Sequence, residues 1–209
     1  MFTQTISDKA KRVLEKIART KIAGGFYLAG GTALAIQLGH RTSIDLDWFS
    51  AESFSNDGIK KTLSELGEFQ LVGEEKGTIH GNLNGVKVSF LHYGYKVLYP
   101  LVDYGGIKLA DERDIAAMKI DAVSSRGSKK DFVDIYFLLE KYSLSELIGL
   151  FEKRYESIKY NKLHIFKSLV YFEDAEMEPM PVMIKNATWG EMKKKMTAET
   201  NKILELATA

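Results

Sequence analysis

Near residue 110 the spacing of apolar side chains changes from strand-like to helix-like, and that change sets what the chain can fold into. Before it, residues 26–29, 44–49, 69–76, 78–83 and 86–93 read as strands, and 107–110 adds an edge strand. Asn84-Gly85 between two of these runs is the signature of a two-residue hairpin. Helices are interspersed over 7–18, 32–38 (stopped by Gly39) and 55–66 (capped by Ser55 or Asp57). After it, 111–125, 130–141, 144–155, 162–172 and 189–206 all carry helical periodicity. Ser143 with Glu146 and Thr188 with Glu191 have the spacing of capping boxes. The expected architecture is α+β: a domain with a mixed sheet over 1–110, then a helical-bundle domain over 111–209.

Composition excludes several classes of function. There is no cysteine, which removes disulfide frameworks, thiolate nucleophiles and Cys-based zinc sites. A net charge of +1 excludes nucleic-acid binding through bulk positive charge, though not through a local basic patch. The first eighteen residues are charged and lack the apolar run of a secretory signal, and no segment has the length to cross a bilayer. A soluble cytoplasmic protein without membrane partners is the expectation.

The chemistry-bearing stretch is Gly30-Gly31-Thr32 followed by Arg41-Thr42-Ser43-Ile44-Asp45-Leu46-Asp47-Trp48. On a strand over 44–49, Asp45 and Asp47 share one face, while Ile44, Leu46 and Trp48 point into a core. Two adjacent carboxylates repel each other unless a cation lies between them. Mg²⁺ (or Mn²⁺) is bound in this way, by one or two carboxylates together with substrate phosphate oxygens. Gly30-Gly31, after a strand and before a helix, lets backbone N–H groups approach a phosphate. Arg41 and Ser43 beside the pair supply hydrogen bonds to triphosphate oxygens. Each element alone is ordinary, Gly-Gly as a tight turn and Asp-x-Asp as a solvated edge. Their order and spacing together favour a metal–triphosphate site.

The run 27–35, Tyr-Leu-Ala-Gly-Gly-Thr-Ala-Leu-Ala, followed by 39–47, Gly-His-Arg-Thr-Ser-Ile-Asp-Leu-Asp, resembles the AbiEii/AbiGii toxin family of nucleotidyltransferases, within the polymerase-β-like superfamily. The resemblance extends over nearly the whole chain and is most specific over 27–49. It implies a polymerase-β-like nucleotidyltransferase domain that uses a nucleoside triphosphate. Asp45 and Asp47 would be metal-binding and catalytic, and Gly30, Gly31, Thr32, Arg41 and Ser43 nucleotide-binding. Lys119, Arg126, Lys130, Asp131 and Asp134 match the family's second motif. By the same resemblance Lys119, Arg126 and Lys130 contact the nucleotide, Lys119, Asp131 and Asp134 are catalytic, and one of the two carboxylates orients Lys119 or Arg126. Read without it, Lys119 either snorkels or faces an anion, and Asp131 complements a helix N-terminus. The resemblance further implies the toxin half of a bacterial toxin–antitoxin or phage-defence (abortive-infection) pair, with a cognate antitoxin and an RNA acceptor such as tRNA. One departure stands out: Ser89 occupies the strand position where related enzymes usually carry a third carboxylate.

Other groups carry less. The four histidines lack metal-ligand spacing, although His40 adjoins the site in sequence. Tyr93, Tyr95 and Tyr99 suit sheet packing better than base stacking, and Lys193-Lys194-Lys195 suits a solvated helix face. The segment 172–181 suits an interdomain contact. Two rival functions follow from the same residues. The site could present a γ-phosphate to a protein hydroxyl, as a kinase does, or Ser89 could mark a non-catalytic nucleotide- or RNA-binding module.

Overall fold

In the computed structural model, which describes residues 1–208 with side chains through Glu205, two compact units follow one another. The first is Met1–Asp111 and the second begins at Glu112. No described helix is long and apolar enough to cross a membrane.

The first unit is built on seven strands: β1 (Tyr27–Ala29), β2 (Leu46–Ser50), β3 (Phe69–Glu75), β4 (Thr78–Leu83), β5 (Val86–His92), β6 (Val102–Tyr104) and β7 (Ile107–Leu109). They form one mixed sheet in the order β3-β4-β5-β2-β1-β7-β6. Its middle is parallel where β2 meets β5 and where β1 meets β7, and antiparallel where β1 meets β2. Four helices accompany it: α1 (Asp8–Ala18), α2 (Ile22–Gly25), α3 (Gly30–Leu38) and α4 (Asn56–Leu66). Alternation along the strands sends Leu46, Trp48, Val88, Phe90 and Ile79 into the core. The Trp48 and Phe90 rings lie parallel there, 6.0 Å apart. Asn84 and Gly85 both take positive φ, 51° and 77°, as a hairpin turn matched to strand twist requires.

Three local expectations need correction. The strand carrying the carboxylates starts at Leu46, so Asp45 precedes it, and Ile44 is 70% exposed instead of buried. The N-terminal segment is the cause: Ile6 bridges Ser43, whose N–H donates to the Thr5 carbonyl, and this diverts the chain just before the strand. β7 is an interior strand, because β6 pairs outside it. The helix expected over 162–172 ends at Ser168, and a separate short helix follows.

The second unit is helical: α5 (Glu112–Ser125), α6 (Lys129–Leu138), α7 (Leu144–Arg154), α8 (Lys162–Ser168), α9 (Glu173–Glu176) and α10 (Trp189–Thr208). Both capping boxes form, with reciprocal bonds between Ser143 and Glu146 and between Thr188 and Glu191. Its core includes Ile120, Phe132, Ile135, Leu147 and Phe151. The Phe132 ring meets those of Phe172 and Trp189 at 5.1 and 5.9 Å. Asp114 and Arg154, both fully buried, form an ion pair between α5 and α7.

Candidate active site

The seven residues singled out between positions 30 and 47 converge around the N-terminus of α3. Gly30 has φ +66°, a left-handed conformation that Cβ disfavours, and an added Cβ would stand 3.2 Å from Asp47 Oδ2. A Cβ on Gly31 would overlap the Arg41 guanidinium and come within 3.6 Å of Ser43 Oγ. The two glycines therefore make room for the protein's own carboxylate and guanidinium. They also open α3, whose first N–H groups have no acceptor within the helix. Alanine at Gly30 is expected to lower stability by about 1–2 kcal/mol, the cost of a left-handed L-residue, which urea unfolding would measure.

Thr32 is buried, and its hydroxyl donates to the Asp45 carbonyl while Ser43 Oγ lies 2.8 Å away. It thus fixes the backbone that presents Asp45 and is directed at the protein itself. Arg41 is buried as well, with Nη1 donating to the Thr42 carbonyl at 2.9 Å. His40 is fully buried, a core histidine despite its place in the sequence.

The carboxylates differ. Asp47 lies on β2 between Ala29 of β1 and Ser89 of β5. Asp45 sits in the irregular segment just before it, and its Oδ1 is buried without a hydrogen-bond partner. Such an orphaned acceptor is costly unless a ligand completes it, so the donor chemistry fits a divalent cation. Among the described residues no group of three or more His, Cys, Asp or Glu is placed to hold a metal unaided. Two carboxylates plus phosphate oxygens is the donor set that Mg²⁺ takes from a nucleotide site.

In the second unit Lys119, Arg126, Asp131 and Asp134 form a knot of charges. Lys119 Nζ lies 2.8 Å from Asp131 Oδ1 and 2.6 Å from Asp134 Oδ2, with all three side chains buried. Arg126 donates to Asp131 through Nε at 2.8 Å and Nη2 at 3.1 Å, and its side chain stays 57% exposed. Burial alone would raise the Asp131 pKa, but the Lys119 charge, with Arg126's hydrogen bonds and charge, holds it below the usual carboxylate value. A depressed folded pKa adds stability above the unfolded value, near pH 4, and that stability is lost as pH falls through the folded value. Asp131→Asn is therefore expected to flatten the acid limb of a stability–pH curve below about pH 4, measured by urea midpoints.

Lys130 is exposed and outside this knot. Its neighbour Lys129, which the sequence did not single out, is buried over the Trp189 ring and donates to the carbonyls of Glu176 and Glu178. Glu178 in turn accepts from Ser128 Oγ at 2.7 Å and Lys129 N at 2.9 Å, capping α6 from fifty residues away. The segment 172–181 therefore clasps its own unit. Tyr93 packs edge-on against Phe49 at 5.3 Å, with Tyr95 against it. Lys193 pairs with Glu176, and Lys195 donates to the Leu139 carbonyl.

The first unit thus sets Asp47 on a mixed sheet, and Asp45 just before its strand, beside a helix that opens on Gly30-Gly31. The family model described as nucleotidyl transferase AbiEii toxin, of a type IV toxin–antitoxin system, matches residues 12–109 and 100–207. The chain belongs to this family of nucleotidyltransferases. An uncharacterized protein of Aquifex aeolicus (strain VF5) is 40% identical over 179 residues, covering 83% of this chain and 86% of its own. Two solved structures share the fold. MenT4, a nucleotidyltransferase toxin from Mycobacterium tuberculosis H37Rv, aligns with a TM-score of 0.57 at 12% identity over 90% of this chain and 81% of its own. JHP933 from Helicobacter pylori aligns with a TM-score of 0.56 at 14% identity over 97% and 96%.

Proposed function

We propose that this nucleotidyltransferase moves a nucleoside monophosphate from a Mg²⁺-bound nucleoside triphosphate to an RNA acceptor, as the toxin of a toxin–antitoxin pair. The observation that carries the reading is the buried, unpartnered Oδ1 of Asp45 beside Asp47 at the start of α3. Asp45 and Asp47 would hold the metal, which when bound neutralises triphosphate charge and polarises the attacking oxygen. The α3 N–H groups, Ser43 and Arg41 would receive phosphate oxygens, with Thr32 fixing Asp45 in place. In the second unit Asp131 and Asp134 would hold Lys119, and Asp131 would steady the exposed Arg126 as a cation for an anionic ligand.

An RNA acceptor agrees with a groove of the first unit lined by Lys9, Arg12, Val13, Lys16 and Asn84. Its three cations fall on one face of α1, a stripe suited to a phosphodiester backbone. The family's description as a toxin of a toxin–antitoxin system supports an antitoxin partner, and a cytoplasmic setting belongs to the same reading.

The test is incubation with Mg²⁺, each of four α-labelled nucleoside triphosphates and total bacterial RNA. Label in a discrete RNA band establishes the transfer and names the nucleotide. Label reaching protein from γ-labelled nucleotide instead would make the chain a kinase.

A further inference from the structure

The row of residues crossing the sheet beside Asp47 continues past it. Ser89 pairs with Asp47 across β2 and β5, and His80 pairs with Ser89 across β5 and β4. Residues paired in register project from the same face, at a strand spacing of about 4.8 Å. Ser89 Oγ therefore stands one strand from the carboxylate, and His80 stands one strand further. Their side chains meet, with His80 Nδ1 3.1 Å from Ser89 Oγ. The opposite face of these strands is the apolar core, so the dyad and Asp47 share the face that substrates can reach.

Transfer to a hydroxyl requires something to take the hydroxyl proton. With Asp45 and Asp47 committed to the metal, neither is free to do so. We infer that Ser89 and His80 form a proton relay for the acceptor, a deduction that rests on the nucleotidyl-transfer reading above. The acceptor oxygen forms its bond to the α-phosphorus as the bond from that phosphorus to the pyrophosphate oxygen breaks. Pyrophosphate leaves with the bonding pair. The acceptor proton passes to Ser89 Oγ while the Ser89 proton passes to His80 Nδ1, with Nε2 carrying the ring's other proton. His80 then returns the extra proton to water. Ser89 is the residue that touches the acceptor, and His80 acts through it.

The charged groups on the same face are Asp47 on β2, Lys87 on β5 and Glu75 on β3, which pairs with Thr78 two residues from His80, with Lys108 on β7 and Asp103 on β6 further along the sheet. The decisive readout is the pH dependence of kcat, compared between proteins in which these charged groups remain.

The experiment uses the full chain with Mg²⁺, α-labelled nucleotide and the RNA that accepts it. His80→Gln and Ser89→Ala are each expected to lower kcat about 10²-fold or more, with nucleotide affinity and thermal midpoint unchanged. The acid limb of the wild-type kcat profile is expected to be absent in His80→Gln. The double variant is expected to be no slower than the slower single variant, because the two act as one unit. An unchanged kcat and acid limb in His80→Gln would overturn the relay while leaving the transfer intact. Absence of transfer by the wild type with every nucleotide would instead remove the underlying reading, and the relay with it.

Discussion

Asp45→Asn is expected to abolish label transfer from an α-labelled nucleoside triphosphate while making the metal-free protein slightly more stable. Both effects come from one atom. In the folded chain Asp45 Oδ1 is buried with no hydrogen-bond partner. Its desolvation is uncompensated, and a second carboxylate lies two residues along the chain. A bound divalent cation supplies several kcal/mol of transition-state stabilisation, so its loss corresponds to about 10³-fold in rate or more. Asn keeps the shape but removes the charge that binds metal. Relief of the unpartnered Oδ1 acceptor offsets about 1 kcal/mol, which for a chain of this size moves the unfolding midpoint up by about 2–4 °C. Three measurements check this: label transfer, Mn²⁺ binding by electron paramagnetic resonance, and a thermal scan without metal. Full transfer with weakened metal binding would take Asp45 out of the mechanism. A fall in the midpoint would mean that the carboxylate is structural.

The largest effect on stability is expected from the second unit's buried ion pair. Asp114 and Arg154 are each fully buried, one at the start of α5 and the other at the end of α7. Removing one partner leaves the other charge in an apolar interior, which costs about 3–5 kcal/mol. Asp114→Ala is accordingly expected to lower the midpoint by about 10 °C or more. Replacing both, as Asp114→Leu with Arg154→Met, exchanges the pair for apolar packing. That double variant is expected to lie close to the wild type or above it. Urea unfolding of Asp114→Leu, Arg154→Met and the double variant measures the coupling. Additive losses would show that the two charges do not depend on each other.

The sequence made the site's composition legible more fully than its geometry. Gly30, Gly31, Thr32, Arg41, Ser43, Asp45 and Asp47 lie within eighteen residues, so a local reading can gather them, and the structure brings them together. The start of β2 was not legible. Alternation over 44–49 is as good a strand pattern as any, but the bridge from Ile6 to Ser43 is a contact over 37 positions. β6 left only one signal, the Gly105-Gly106 pair that turns it into β7, and such a pair is a hairpin cue. The break after Ser168 has no proline or glycine to announce it. Neither Glu178 at the start of α6 nor His80 beside Ser89 has a local signature, because each is set by tertiary register.

The bonds from Ser128 and Lys129 to Glu178 also give the second unit an order in time. The helix that presents Asp131 and Asp134 receives its carboxylate cap from a residue about fifty positions later. A chain still emerging from the ribosome can close α5, α6 and α7 against one another, but the cap is missing until residue 178 has been made. Long-range contacts of this kind close last in folding, since the loop entropy is lost before the contact is gained. The cap on that helix is thus in place only after residue 178 has been made, and products truncated before it would be born without it.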